Sequence, residues 1–265
     1  MFLIPILCVV AFAAGLIDAI AGGGGLLTVP ALLVALPDAR LALGTNKGQA
    51  VFGSGASLVA FARAGRVDKK RFGPTFLAAL VGSILGARLV LALRPEALRP
   101  VVLVLLLGVA TFFASRGLGR SKKTTEAAGE APPPRRPLPI AERHPALVAV
   151  AIAFVIGGYD GFFGPGTGTF LITLYTTVFG DDLTRATANA KVANFASNLG
   201  AFGSFALAGR IDFRLALPMA AMQALGGFLG ARVAVRGGER LIRAAVLAVT
   251  LALALRIAWQ IASTG

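Results

Sequence analysis

One passage occurs twice in this chain, 144 positions apart. Ala64-Gly65-Arg66-Val67-Asp68 returns as Ala208-Gly209-Arg210-Ile211-Asp212, and Leu85-Gly86-Ala87-Arg88 returns as Leu229-Gly230-Ala231-Arg232. Such periodicity marks a duplicated structural unit. Both copies lie among apolar runs long enough to cross ~30 Å of hydrocarbon, which takes about 20 residues at 1.5 Å each. The expected setting is a membrane, where paired halves tend to enclose a polar space near the middle of the bilayer.

Composition supports that setting, since 56% hydrophobic with 14% charged residues is too apolar a balance for an ordinary soluble domain. A net charge of +14 would suggest nucleic acid in a soluble chain. Here the basic residues fall between apolar runs, without interleaved aromatics, so nucleic acid is not an expected partner. Cys8 is the only cysteine, which excludes an intramolecular disulfide. Residues 1–10 are apolar, without the positive start of a secretory signal, and no cleavage is expected.

The fold expected is an all-α membrane protein of about eight transmembrane elements in two halves. The first half (1–115) holds elements at 2–36, 46–62, 75–93 and 98–114; the second (144–265) holds 146–179, 191–207, 215–235 and 244–258. Residues 116–143, charged and rich in proline, read as a solvated linker. With an even number of crossings per half, one set of loops carries fourteen Lys and Arg and the opposite set seven. That bias places both termini and the linker in the cytoplasm, with the halves parallel. A re-entrant first element would instead make the halves inverted.

The first element of each half is too long for one helix and is interrupted. In one the break follows Asp18 as Gly22-Gly23-Gly24-Gly25; in the other it follows Asp160 as Gly164-Pro165-Gly166-Thr167-Gly168. Such stretches cannot continue an unstrained helix, so they release backbone groups at a depth where lipid cannot satisfy them. Half-helices resuming at Leu26 and Thr169 would turn their positive N-termini, with unpaired N–H groups, into a cavity suited to an anion. Lys47 and Lys191, related by the same offset, open the second elements, where a lysine is costly unless it finds a partner. Lys191, Asn194 and Asn198 share a helical face, and Thr45, Asn46 and Lys47 form a similar polar group. These residues and the break glycines make up the expected substrate-binding set. Asp18 and Asp160 are candidates for carrying a proton, or for capping or pairing with the lysines. Gly82 and Gly86, repeated as Gly226 and Gly230, read as close-packing steps. With His144 as the sole histidine and few carboxylates, neither an enzyme, nor a metal site, nor a cofactor is expected.

The run from Gly15 to Pro30, with Thr45-Asn46-Lys47, Tyr159-Asp160-Gly161-Phe162-Phe163-Gly164-Pro165, Ala190-Lys191 and the Gly-Ala-Arg pair, resembles the TauE/SafE family of bacterial sulfite and organosulfonate exporters. The resemblance implies a multi-span inner-membrane transporter of small anions such as sulfite or sulfonates. No G-x-x-x-x-G-K-[ST] nucleotide signature occurs, so the expectation is a secondary transporter, with a passive anion channel or a membrane assembly subunit as the alternative.

Overall fold

The computed structural model describes residues 3–94, 136–237 and, between them, 97, 98, 100–102, 104, 105, 107–109 and 111. The main regular elements among these residues are helical: α1 (Leu3–Ala21), α2 (Gly25–Ala35), α3 (Ala39–Arg63), α4 (Lys69–Ala92), α5 (Pro145–Phe162), α6 (Thr167–Val178), α7 (Leu183–Leu207) and α8 (213–237), with a short helix, Pro139–Arg143, just ahead of α5. Of the expected fourth elements, 98–114 is described in part, while 244–258 and most of the linker lie outside the described residues. Three described helices, α1, α4 and α5, are long and apolar enough to cross a membrane. The 25-residue helices α3 and α7 would each reach about 37 Å, but carry polar side chains into the interior.

Aspartates set the starts of several helices. Asp38 accepts from the Arg40 amide at 2.8 Å, Asp68 from that of Lys70 at 2.9 Å, and Asp182 from that of Arg185 at 2.9 Å, satisfying donors a helix start leaves free. α3 and α7 therefore begin well before residues 46 and 191. This corrects the expected boundaries, and Lys47 and Lys191 sit two turns inside their helices rather than at the ends.

The two copies run in opposite directions. Asp212 N–H donates to Thr45 Oγ1 at 3.0 Å and Arg210 pairs with Asp38 at 3.1 Å, so the start of α3 meets the end of α7. At the other end of the fold, Asp68 N–H donates to Asn189 Oδ1 at 2.9 Å and Arg71 pairs with Asp181 at 2.9 Å, so the end of α3 meets the start of α7. This antiparallel arrangement overturns the expectation of parallel halves.

The broken elements explain the inversion. Leu138 N–H donates to Val178 O at 2.9 Å, so the chain enters α5 on the face where α6 leaves. Leu7 of α1 likewise shares a core cluster with Leu32 and Leu36 at the end of α2, and with Leu215 and Met219 of α8. Each pair is a re-entrant hairpin, one from the face holding the start of α1 (the N-terminal face) and one from the face where the linker ends (the linker face). The start of α1 and the end of the linker thus lie at opposite ends of the fold.

Small residues let the halves interlock. A Cβ at Gly82 or Gly86 of α4 would stand 2.2 Å from Phe154 O or 2.0 Å from Gly158 O of α5; at Gly226 or Gly230 of α8 it would stand 2.2 Å from Phe12 O or 2.6 Å from Leu16 O of α1. Both glycine steps are close-packing surfaces between the halves, as their spacing predicted.

Candidate functional site

The tips of the two hairpins touch. Gly22, with φ +80°, packs its Cα against Gly168, and Thr169 donates its amide to Gly22 O at 3.1 Å and its hydroxyl to Ala21 O at 2.9 Å. A side chain at Gly22 would be strained by that φ and would collide with the opposite tip. The half-helices resume at Gly25 and Thr167, slightly earlier than expected. The amides of Gly25 and Gly168, one at each start, meet no acceptor among the described residues, and both residues line a cavity of ≈ 30 Å³. That volume holds about one or two waters.

Each lysine reaches across to the aspartate of the other half. Lys47 Nζ lies 3.0 Å from Asp160 Oδ1, and Lys191 Nζ lies 2.7 Å from Asp18 Oδ2 and also contacts the Asp18 carbonyl. Both lysines are almost wholly buried, at 2% and 0% exposure. Removing one partner of such a pair strands a charge and costs about 3–5 kcal/mol. Neither lysine snorkels to an interface.

Around Lys47 the polar set is dense. Lys47 also donates to Asn198 Oδ1 at 3.2 Å, and Asn198 donates to Asn194 on the next turn. Asp160 accepts from Thr167 Oγ1 at 2.9 Å and from the Ser197 hydroxyl. Asn46 accepts from Thr28 Oγ1 at 2.6 Å and from Gln49 Nε2 at 3.2 Å. Gly164, with φ +101°, leaves room for the ammonium, since a Cβ there would stand 2.9 Å from Lys47 Nζ.

Most of the residues expected from sequence converge here. Asp18, Gly22, Gly25, Asn46, Lys47 and Asp160 line the cavity, as do Gly164, Gly166, Thr167, Gly168, Asn194 and Asn198. Lys191 stands behind Asp18. Three expected members stand elsewhere: Gly23 and Gly24 are not in the lining, and Thr45 binds the Asp212 amide at the N-terminal face. Reasoning from sequence missed Thr28, Ser197 and Gln223. Gln223 was legible as a lone amide in an apolar run; its Oε1 is buried without a partner and it lines the cavity. Among the described residues no group of acidic, cysteine or histidine side chains could hold a metal.

Apolar helices for a bilayer, two opposed re-entrant tips and a small polar cavity between them define a membrane transporter. The sulfite exporter TauE/SafE family model matches residues 7–257. The chain belongs to that family. It is 36% identical over 256 residues to the "Probable membrane transporter protein ORF9" of Sinorhizobium sp, covering 96% of this chain and 92% of that one. It is 35% identical over 246 residues to a "Probable membrane transporter protein" of Haemophilus influenzae, covering 92% and 90% of the two chains. It is 34% identical over 259 residues to "Probable membrane transporter protein YfcA" of Escherichia coli K12, covering 97% and 90%. No solved structure matches the chain.

Proposed function

We propose that this protein is a secondary transporter, working as an exporter, of a small anion such as sulfite, a sulfonate or another sulfur oxyanion. The anion is held between two inverted repeats, each contributing four membrane elements. The observation that carries this reading is the pair of buried Lys–Asp bridges, Lys47–Asp160 and Lys191–Asp18, each spanning the two halves beside a cavity lined by helix N-termini. Ammonium groups and free amides favour negative charge. The carboxylates hold the places an anion would take, so substrate competes with them for the lysines. A cavity of ≈ 30 Å³, room for about one or two waters, supports a carrier over a channel, which needs a continuous wet path.

Orientation follows from charge. Among the described residues outside the site, the linker face carries ten Lys and Arg (including Arg63, Arg66, Lys69, Lys70 and Arg71) and the N-terminal face five (Arg40, Arg88, Arg94, Arg210 and Arg214). In a bacterial inner membrane the linker face is then cytoplasmic.

Flux of radiolabelled sulfite and small sulfonates into proteoliposomes tests the function. Saturable flux with counterflow is expected, and conductance far above carrier turnover would make it a channel. Folded protein that moves none of these anions would reject the reading.

A further inference from the structure

The two Lys–Asp bridges occupy equivalent places but are not chemically equal. Asp160 is held by three side chains: Lys47, Thr167 and Ser197. Each hydroxyl also lies near a backbone carbonyl, but an ionised carboxylate is the stronger acceptor and orients both protons toward itself. The positions matching Thr167 and Ser197 in the other half are Gly25 and Gly53, which have no donor side chain. Asp18 therefore has only Lys191 as a side-chain donor among the described residues. Its side chain is 15% exposed, against 4% for Asp160.

We infer that Asp18 is the proton-carrying group of the transport cycle, while Asp160 stays ionised as a fixed partner of Lys47. The inference rests on the anion-transport reading above. Lys47, Lys191, Asp18 and Asp160 sum to zero charge when all are ionised, leaving only the helix N-termini to attract an anion. The charged groups facing Asp18 are Lys191 from α7 and, around the cavity, Lys47 from α3 and Asp160 from α5; α2, α6 and α8 present only uncharged residues there, Gly25 and Thr28, Thr167 and Gly168, and Gln223. A hydronium ion from solution in the opened cavity gives up a proton, its own O–H bond breaking as one forms on the Asp18 carboxylate; neutral water is left and the uncharged carboxyl releases Lys191. The site then carries one net positive charge and accepts one monoanion. Protonating Asp160 would instead turn away two hydroxyl donors as well as an ammonium, which disfavours it. One proton accompanies each singly charged anion, so the substrate class is a monoanion that travels with H⁺, and export is driven by the anion's own outward gradient.

Ethanesulfonate is the probe, because its own charge does not change near neutral pH. On the alkaline side of its pH profile, flux into proteoliposomes should fall about tenfold per pH unit, the slope of a one-proton requirement. That slope is expected in the wild type and should vanish in Asp18→Asn; Asp160→Asn also leaves the site one net positive charge, so the protonation of Asp18 in that variant is read by infrared. A slope that persists in Asp18→Asn overturns the inference. If the wild type moves no ethanesulfonate, the transport reading fails for that anion, and infrared difference spectroscopy decides the protonation independently. Acidifying purified protein should raise a protonated-carboxyl band that is absent from Asp18→Asn and from the charge-balanced Asp18→Asn/Lys191→Gln, yet present in Asp160→Asn. The same band in all variants overturns it.

Discussion

A buried lysine has to be read together with what it touches. From sequence, Lys47→Ala or Lys191→Ala looks benign, because a neutral residue enters a membrane more easily than a charge. The bridges reverse that expectation, since either substitution strands Asp160 or Asp18 in a nearly dry interior. Each single variant should lose about 3–5 kcal/mol of stability, seen as a lower melting temperature in detergent. The double variant Lys47→Met/Asp160→Asn should recover most of that loss while still failing to bind sulfite by calorimetry. Equal melting of the single and double variants would deny the bridge its role. The aspartates and lysines were legible because charge at bilayer depth is expensive and so stands out. Ser197 and Thr28 were not singled out, because their value lies in partners on other helices, Asp160 and Asn46, which no local spacing reveals.

At the scale of elements, glycine separates packing from mere flexibility. Gly86 meets the Gly158 carbonyl so closely that any side chain must drive α4 from α5, whereas a Cβ at Gly73, on the same helix, would meet nothing within 4 Å. Gly86→Val should cost about 1–3 kcal/mol or more through overpacking, while Gly73→Ala should gain about 0.5–1 kcal/mol from helix propensity. Thermal melts of the two variants check the contrast. The loop ahead of α4 supplies a pH signature. Burial works to raise the Asp68 carboxyl, but the Arg71 side chain, the Lys70 and Arg71 amides and the Arg71 charge outweigh it and hold the group below its ordinary value. A lowered carboxyl adds stability that is fully present above the unfolded value, near 3.8, and is lost as pH falls through the lower folded value. Asp68→Asn should therefore lower the melting temperature at neutral pH and flatten its decline in acid. An unchanged acid limb would show that the Asp68 contacts carry no stability. The breaks in the first elements were plain in sequence, yet their turning back was not. Length and apolarity are alike for a kinked crossing and a hairpin, and only contacts such as Leu138 with Val178 distinguish them.

For the whole molecule, that one ambiguity inverted an entire half. Counting charges requires knowing which loops share a face, and an assumed even number of crossings grouped Arg210 and Arg214 with Arg63 and Arg66. In the fold, Arg63 lines a cavity with Arg232 and Arg236, while Arg210 reaches Asp38 at the opposite end. The two faces are also closed differently. Arg71 on the linker face joins Asp68 and Asp181 and lies 4.6 Å from the Phe179 ring centre; its counterpart by the repeat is Leu215, and the N-terminal face has the more exposed Arg210–Asp38 pair. Exposed pairs contribute little, so the N-terminal face is the weaker seal and the first to open. Single cysteines at Arg66 and Gly209, in a Cys8→Ser background, test both ideas in oriented membrane vesicles. A membrane-impermeant maleimide should label position 66 only from the cytoplasmic side and position 209 only from the other. Labelling of a further cysteine placed at Thr28 should come from the position-209 side and increase in Arg210→Ala, whereas Arg71→Ala should admit reagent from the cytoplasm. Labelling of positions 66 and 209 from one side would return the halves to a parallel arrangement.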